Sequence, residues 1–159
     1  MKNTLRNYNQ IIVGILGLPV RKNSKGWEFF LTRRHSPTGP IFHNKWQLAG
    51  GGLEFGETSE QTLVREFQEE LGVTPQIISP NPIVEVNTWN KKIHGVKNNT
   101  HLVLIAYIVS LGDQIPKLLE KENNDMGWFS LEEIRKLETL PKTLKFVKKA
   151  LLILENQAK

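Results

Sequence analysis

The sequence of 159 residues contains no cysteine. This absence excludes disulfides, thiolate metal ligands and cysteine nucleophiles, and it is compatible with a reducing compartment. The longest apolar run, residues 102–109, is far shorter than the roughly 20 residues of a membrane-spanning helix, and no apolar segment of signal-peptide type precedes Ile11. We therefore expect one domain over residues 1–159, located in the cytoplasm and without a membrane partner.

Acidic residues are scarce in one part of the chain, and basic residues are scarce in another. Residues 1–47 contain eight basic residues and a single acid, Glu28, whereas residues 54–70 contain six acids and a single base, Arg65. An acidic segment in a basic background indicates a cation site beside surfaces that tolerate phosphate groups. The sequence has no recognition-helix signature, no zinc-ligand spacing among its 4 histidines and no aromatic RNA-binding motif. We therefore expect a partner that carries phosphate groups rather than a nucleic acid.

Hydrophobic alternation and turn residues predict a series of strands, the first two joined as a hairpin by a polar turn at residues 21–26. The strands are expected over residues 10–20, 27–34, 45–49, 76–89, 100–109 and 126–129. Apolar spacing and capping residues predict helices over residues 59–71, 131–137 and 141–155. The polar stretch 90–99 is expected to be a mobile loop.

The first predicted helix carries its carboxylates together. At about 100° per residue, Glu66, Glu69 and Glu70 share one arc, next to the arc of apolar residues. Like charges at this spacing repel one another, and Arg65 alone cannot neutralise all three. A hard divalent cation such as Mg²⁺, which prefers oxygen ligands and phosphates, removes the repulsion. A solvated acidic face is the alternative for the helix alone, but the glycines at 50–52 favour the cation because they allow close approach of a ligand.

Residues 51–73 read GGLEFGETSEQTLVREFQEELGV, and this segment resembles the Nudix box. The box has glycine, glutamate, an Arg-Glu pair, a bulky apolar residue, a Glu-Glu pair, glycine and a second apolar residue at fixed spacing. The fixed positions are all filled, by Gly51, Glu57, Arg65, Glu66, Phe67, Glu69, Glu70, Gly72 and Val73. A looser resemblance to MutT-like Nudix hydrolases spans residues 11–137. One departure is Ala49, where the family usually has proline; the change removes no ligand.

The resemblance implies an α/β fold, a Nudix-type α/β/α sandwich with a mixed central β-sheet. It also implies hydrolysis of a nucleoside diphosphate that is linked to another group. Divalent ions, Mg²⁺ or alternatively Mn²⁺, would be the cofactor. The implied metal ligands inside and next to the box are the Gly50 carbonyl and the carboxylates of Glu66, Glu69 and Glu70.

The same resemblance implies catalytic roles for four residues of the box, Glu57, Arg65, Glu66 and Glu69. Arg65 would orient a carboxylate rather than touch the substrate, and Glu57 would support the metal cluster or reach a second ion. The general base is not fixed across this family, and Glu66 is the candidate within the box.

A further acid outside the box is Glu122. Some MutT-like enzymes carry a metal-binding or basic glutamate six residues before a tryptophan, and Glu122 stands six residues before Trp128. Glu120 and Asp125 are rivals in the same segment. A solvated acidic loop is the alternative for all three.

Three residues outside the box are candidates for contact with the substrate. Arg33 and Arg34 stand at the end of a predicted strand, where an arginine can bind a phosphate, although a solvated strand end is an equally good interpretation. Trp89 can stack on a base, as can Trp27 and Phe42, but aromatic residues are more often part of a core.

We expect a Mg²⁺-dependent nucleotide pyrophosphatase, a monomer or homodimer, that converts a nucleoside triphosphate or deoxynucleoside triphosphate to the monophosphate and pyrophosphate. Rival hypotheses are a pyrophosphatase of ADP-ribose, sugar nucleotides or dinucleotides, and an RNA 5′ pyrophosphohydrolase. A rival of another class is a Nudix domain that binds nucleotide without catalysis. Such domains usually lose carboxylates of the box, and this chain keeps all of them.

Overall fold

The computed structural model of this chain describes residues 10–159. Residues 1–9 lie outside the described part. Two observations from the sequence therefore concern residues that are not described: the lack of a signal-type segment before Ile11, and the contribution of Lys2 and Arg6 to the basic N-terminal portion.

The described strands form one mixed sheet centred on β1. The strands are β1 (Gln10–Asn23), β2 (Gly26–Arg34), β3 (Trp46–Gln47), β4 (Ala49–Gly52), β5 (Gln76–Ile77), β6 (Ile83–Trp89), β7 (Thr100–Ser110) and β8 (Asn123–Phe129). β1 pairs in parallel with β7 and antiparallel with β4 and β2. β5 and β6 pair with β7, and β3 and β8 pair with β2. The parallel β1–β7 pair among antiparallel neighbours confirms the predicted mixed sheet.

Helices cover both faces of the sheet. They are α1 (Ser59–Leu71), α2 (Lys91–His94), α3 (Leu131–Ile134) and α4 (Thr143–Gln157). Phe67 of α1 packs in one core cluster with Ile15, whereas Phe146 of α4 packs in a second cluster with Leu18. Burial of each such side chain contributes about 1.5–3 kcal/mol. This arrangement confirms the expected α/β/α sandwich. None of the helices in residues 10–159 has the length and hydropathy that crossing a membrane requires.

The single strand predicted over residues 76–89 is wrong. β5 and β6 are separate strands, because Pro80 and Pro82 in the connecting segment lack the N–H group that a strand ladder needs. The loop predicted at residues 90–99 contains the single turn of α2, and Asn90 caps this turn through its side-chain oxygen.

Several element boundaries also differ from the predictions. β1 ends at Asn23, inside the predicted turn, and the strand expected over residues 45–49 is instead the two strands β3 and β4, the second of which contains the three glycines. α4 begins at Thr143 rather than at residue 141, because Lys142 has a φ of 75° and cannot be part of a right-handed helix. β8 begins at Asn123, three residues earlier than predicted. α3 ends at Ile134, three residues earlier than predicted.

α1 has the predicted bounds, Ser59–Leu71, and its predicted capping box is confirmed. The Thr58 hydroxyl accepts from the Gln61 backbone N–H at 3.2 Å, and the Gln61 side chain accepts from the Thr58 N–H at 2.9 Å. Gly17 of β1 allows the helix to pack closely, since a Cβ there would lie 2.5 Å from the Phe67 ring. This close packing brings the carboxylates of α1 up to the neighbouring strand β4.

Candidate active site

The glycine loop of β4 lies in direct contact with α1. Gly50 has a φ of 139°, which favours glycine, and a Cβ on Gly50 would overlap the carbonyl oxygen of Ile15. A Cβ on Gly51 would overlap the carboxylate of Glu66. A Cβ on Gly52 would meet nothing within 4 Å. Only the first two glycines are therefore required by the approach of the loop to its neighbours.

Arg65 joins several carboxylates of the box. Its Nε and Nη2 donate to the two oxygens of Glu57 at 2.7 Å and 3.0 Å, a two-point contact that a planar guanidinium makes well. Its Nη1 donates to Glu66 at 2.7 Å and to Glu69 at 3.4 Å, and Nη2 also donates to the Gly52 carbonyl at 3.2 Å. The guanidinium thus fixes carboxylates and the glycine loop together. Its part in catalysis stays a prediction.

Glu57 is the acid of the box whose negative charge is most fully balanced by neighbouring hydrogen-bond donors. The bonds from Arg65, together with the hydroxyl of Thr62, which donates at 2.7 Å, lower the pKa of Glu57 to about 2. The pKa of Arg65 is raised in return, chiefly by its bond to Glu57. Glu57 is therefore ionised and held in one place at neutral pH.

Glu70 is the opposite case, a buried acid that has no cationic partner among residues 10–159. Within this part of the chain its side chain accepts a single hydrogen bond, from the backbone N–H of Gly50 at 3.4 Å. Burial, with the charge of Glu66 as the next contribution, raises the pKa of Glu70 to about 8. Burial also raises the pKa of Glu66, although the bond from Arg65 opposes the shift. Negative charge at Glu66 and Glu70 is thus only partly compensated.

The three carboxylates expected to be presented together do not converge. In residues 10–159 no three His, Cys, Asp or Glu side chains surround one point, because Arg65 draws Glu66 and Glu69 to one side while Glu70 bonds to Gly50. The donor chemistry nevertheless fits a divalent cation. Hard carboxylate oxygens are the ligands such ions prefer, and a buried, incompletely compensated carboxylate is what a cation stabilises. The predicted ligands Glu66, Glu69, Glu70 and the Gly50 carbonyl remain predictions.

The acids outside the box divide into two groups. The backbone N–H of Leu119 donates to the Glu70 carbonyl at 2.9 Å, so the segment that ends in Glu120 and Glu122 runs beside α1. The charge of Glu120 raises the pKa of both Glu66 and Glu70, whereas that of Glu122 contributes for Glu70. Glu120 and Glu122 therefore both remain candidates for the metal-binding or basic acid outside the box.

Asp125, the third candidate acid, is instead paired with an arginine. Its carboxylate lies 3.4 Å from the Nη2 of Arg33. The Nε of Arg33 also donates to the Asn124 side chain at 3.0 Å. These contacts hold the Arg33 guanidinium with β8.

A cavity of about 580 Å³ opens between the glycine loop and the start of α4. Of the predicted substrate contacts, Arg34 and Trp89 line this cavity and Arg33 does not. Of the two other aromatic candidates, Phe42 lines the cavity and Trp27 does not. The Phe42 ring packs edge-to-face on Trp89 with centroids 4.9 Å apart. The Arg34 guanidinium lies 5.7 Å from the centroid of the Phe42 ring, and the buried Nε of Arg34 has no hydrogen-bond partner among the described residues.

Sequence analysis missed several polar side chains of this cavity. Gln47, Asn87, Lys97 and Thr143 line it and come from four different segments. Each stands alone in the sequence without a motif around it. Gln47 could have been found from its place three residues before Gly50, the first glycine of the loop, but the other three converge only through the fold.

Residues 11–150 match the family model of the NUDIX domain. The 8-oxo-dGTP diphosphatase of Escherichia coli (strain K12) is 44% identical over 70 residues, which are 44% of this chain and 48% of that protein, so the chain spans about half the length of that relative. The nucleoside triphosphatase NudI of Enterobacter sp. (strain 638) is 30% identical over 115 residues, 70% of this chain and 81% of that protein. The crystal structure of a MutT protein from Methanosarcina mazei Go1 aligns with a TM-score of 0.64 at 25% identity, covering 94% of this chain and 96% of that one.

The raised pKa of Glu70 predicts how the stability of the metal-free protein depends on pH. The folded state keeps a proton on Glu70 up to a pKa of about 8, whereas the unfolded chain releases it near the ordinary value of 4.5. Stability contributed by this proton is present at pH 4 and is lost as the pH rises to 8.

We expect Glu70→Gln to lose less stability than wild type between pH 5 and pH 8, as measured by urea unfolding in the presence of a chelator. The control is Glu69→Gln, because the wild-type Glu69 side chain is half exposed. This variant should keep the wild-type dependence of the free energy of unfolding on pH. Equal slopes for all three proteins would contradict the burial of an uncompensated acid at residue 70.

Proposed function

This chain belongs to the NUDIX domain family and is a Nudix hydrolase, and on that premise we propose that it hydrolyses a nucleoside triphosphate to the monophosphate and pyrophosphate with Mg²⁺. The observation that carries this proposal is the continuity of the cavity with the glycine loop. Gly50, Gly51 and Gly52 line one part of it, and the aromatic pair Phe42 and Trp89 lines another. Phosphates at the loop and a base at the aromatic pair would therefore occupy one continuous space.

In the proposed chemistry, a divalent cation and the residues of the Nudix box have different roles. When bound, the cation offsets phosphate charge and lowers the pKa of a bound water. The carboxylates of Glu66, Glu69 and Glu70 would hold it, with the Gly50 carbonyl. Arg65 keeps its neighbouring carboxylates in position through the bonds described above.

The general base is proposed to be Glu66. Arg65 Nη1 donates to its carboxylate at 2.7 Å, which holds the group in a fixed orientation, and a positioned carboxylate is what general base catalysis requires. Its carboxylate also lies against the backbone of Gly51, a residue that lines the cavity. Glu122 and Glu120, on the segment beside α1, are the alternatives.

Arg34 is proposed to contact a phosphate group or the base of a substrate that is bound in the cavity. Its buried Nε has no hydrogen-bond partner in the part of the chain that the structure describes, so a ligand oxygen that accepts from it would satisfy a group that burial otherwise penalises. Trp89 and Phe42 would provide the apolar contact for the base ring, since aromatic side chains stack on bases of any sequence. The neighbouring Arg33 is already engaged by Asn124 and Asp125.

The names of the relatives support a nucleoside triphosphate as the substrate. The two curated relatives described above are named as an 8-oxo-dGTP diphosphatase and as a nucleoside triphosphatase. A triphosphate also offers more oxygens to bound cations than a diphosphate ester does. The sequence outside residues 54–70 is basic, which favours attraction of a substrate rich in phosphate.

The substrate class predicts the outcome of a hydrolysis panel with Mg²⁺. We expect kcat/KM for the best nucleoside triphosphate to exceed that for ADP-ribose, NADH and diadenosine polyphosphates at least about tenfold, or about 1.4 kcal/mol of transition-state stabilisation. Phosphorus NMR should identify pyrophosphate and the monophosphate as products. A dinucleotide, ADP-ribose or a 5′-triphosphorylated RNA as the best substrate would overturn the triphosphate assignment. Absence of turnover with every compound would favour the non-catalytic alternative.

The different surroundings of two adjacent arginines predict different kinetic effects. Arg34→Gln should lower kcat/KM for the best triphosphate about tenfold or more, because it removes a charged donor from the cavity. Arg33→Gln is the matched control, with the same chemical change outside the cavity, and should stay within about threefold of wild type. Equal losses in the two variants, with both proteins folded by circular dichroism, would rule out a specific contact from Arg34.

A further inference from the structure

Thr62 of α1 has a buried hydroxyl that bonds to an acid of the Nudix box. The Thr62 side chain is fully buried, and its Oγ1 donates to Glu57 Oε2 at 2.7 Å. The carbonyl of Thr58, at 3.2 Å, is a second acceptor within reach. A hydroxyl has one hydrogen to donate, and the shorter bond to a charged oxygen is the stronger of the two. The Thr62 hydroxyl therefore donates to Glu57 in preference to the helix backbone.

The helical spacing of Thr62 and Arg65 explains why both side chains reach Glu57. The two residues are three positions apart on α1, so they lie on the same face, and helical side chains point towards the N-terminus of their helix. Glu57 precedes the helix at that end. Its Oε1 accepts from Arg65 Nε at 2.7 Å, and its Oε2 accepts from Arg65 Nη2 at 3.0 Å. Thr62 and Arg65 thus hold the same carboxylate.

The orientation of the Glu57 carboxylate fixes the plane of the Arg65 guanidinium. A guanidinium is planar and rigid, so two bonds to one carboxylate leave it little freedom. Other bonds from the same plane reach the Gly52 carbonyl at 3.2 Å and Glu66 at 2.7 Å. A rotation of Glu57 would therefore move these donors away from the glycine loop and from Glu66. The Thr62 hydroxyl opposes such a rotation, because its bond to Oε2 does not depend on Arg65.

We propose that Thr62 is a positioning residue, whose hydroxyl fixes Glu57 and through it the orientation of Arg65. The oriented guanidinium then keeps Glu66 against the glycine loop. Thr62 is not one of the fixed positions of the box, so the sequence motif gives it no role. The kinetic part of this inference rests on the proposed function, whereas the orientation of Arg65 is a property of the metal-free protein.

Nitrogen-15 NMR of the arginine side chains tests the inference in the metal-free protein. Thr62→Val keeps the shape of the side chain and removes the hydroxyl, so the Arg65 Nε–H should exchange with water at least about tenfold faster. Thr62→Ser should restore the wild-type rate. The matched control is Thr32→Val, because Thr32 is also fully buried but its hydroxyl has no partner among residues 10–159. Removal of this unpartnered hydroxyl should leave the Arg65 exchange rate within about twofold of wild type.

Steady-state hydrolysis of the best nucleoside triphosphate with Mg²⁺ gives the second measurement. Thr62→Val should lower kcat about fivefold while KM stays within about twofold of wild type, because the change acts on positioned carboxylates and not on substrate contacts. Thr62→Ser should recover most of the lost kcat. Thr62→Ala removes the same hydroxyl and introduces the residue of highest helix propensity, so it should repeat both results even if valine disturbs the packing.

The remaining outcomes contradict defined parts of the proposal. An unchanged Arg65 exchange rate in both Thr62→Val and Thr62→Ala would overturn it, whatever the kinetics show. Equal acceleration in Thr62→Val and Thr32→Val would assign the effect to core packing. Faster exchange without any loss of kcat would reject a role in catalysis. A wild-type protein that hydrolyses no triphosphate would reject the proposed function, while the exchange rates would still decide whether Thr62 orients Arg65.

Discussion

The contact between the glycine loop and the carboxylates of α1 is the constraint on which the rest of the site depends. Gly17 lets the Phe67 ring reach β1, and this packing sets the distance between α1 and the sheet. At that distance a side chain on Gly51 would occupy the space of the Glu66 carboxylate. The backbone of the loop therefore serves as one wall of the acidic site, and it also lines the cavity that extends to the start of α4.

Arg65 decides how the negative charge of this site is distributed. It makes its two-point contact with Glu57, whose pKa falls to about 2, and it shares a single Nη1 between Glu66 and Glu69. No bond from Arg65 reaches Glu70, whose pKa burial raises to about 8. One arginine thus fixes the acids at the entrance of the site while leaving the innermost acid to another source of positive charge. A divalent cation with its phosphate ligand is such a source.

The sequence allowed the acidic site to be predicted much better than the cavity. α1 could be placed to the residue because its signals are local: Thr58 and Gln61 form a capping box, and the spacing of the box glutamates follows from the helical period. Arg33 and Arg34 could not be told apart, because the distinction comes from Asn124, which lies 91 residues away from Arg33 in the sequence. Thr143 carried no signal at all, since most of the other residues that line the cavity come from distant parts of the chain.

Cation binding to wild type and two glycine variants tests the central claim that the loop backbone and α1 together form a cation-dependent site. Gly51→Ala would displace the Glu66 carboxylate, a flexible group, so the fold should survive while the site is disturbed. Gly52→Ala, where a Cβ meets nothing within 4 Å, is the matched control. Mn²⁺ titration followed by electron paramagnetic resonance should give a Kd about tenfold or more weaker for Gly51→Ala, and within about twofold of wild type for Gly52→Ala. Equal Mn²⁺ affinity in all three folded proteins, or no binding by wild type, would contradict the account.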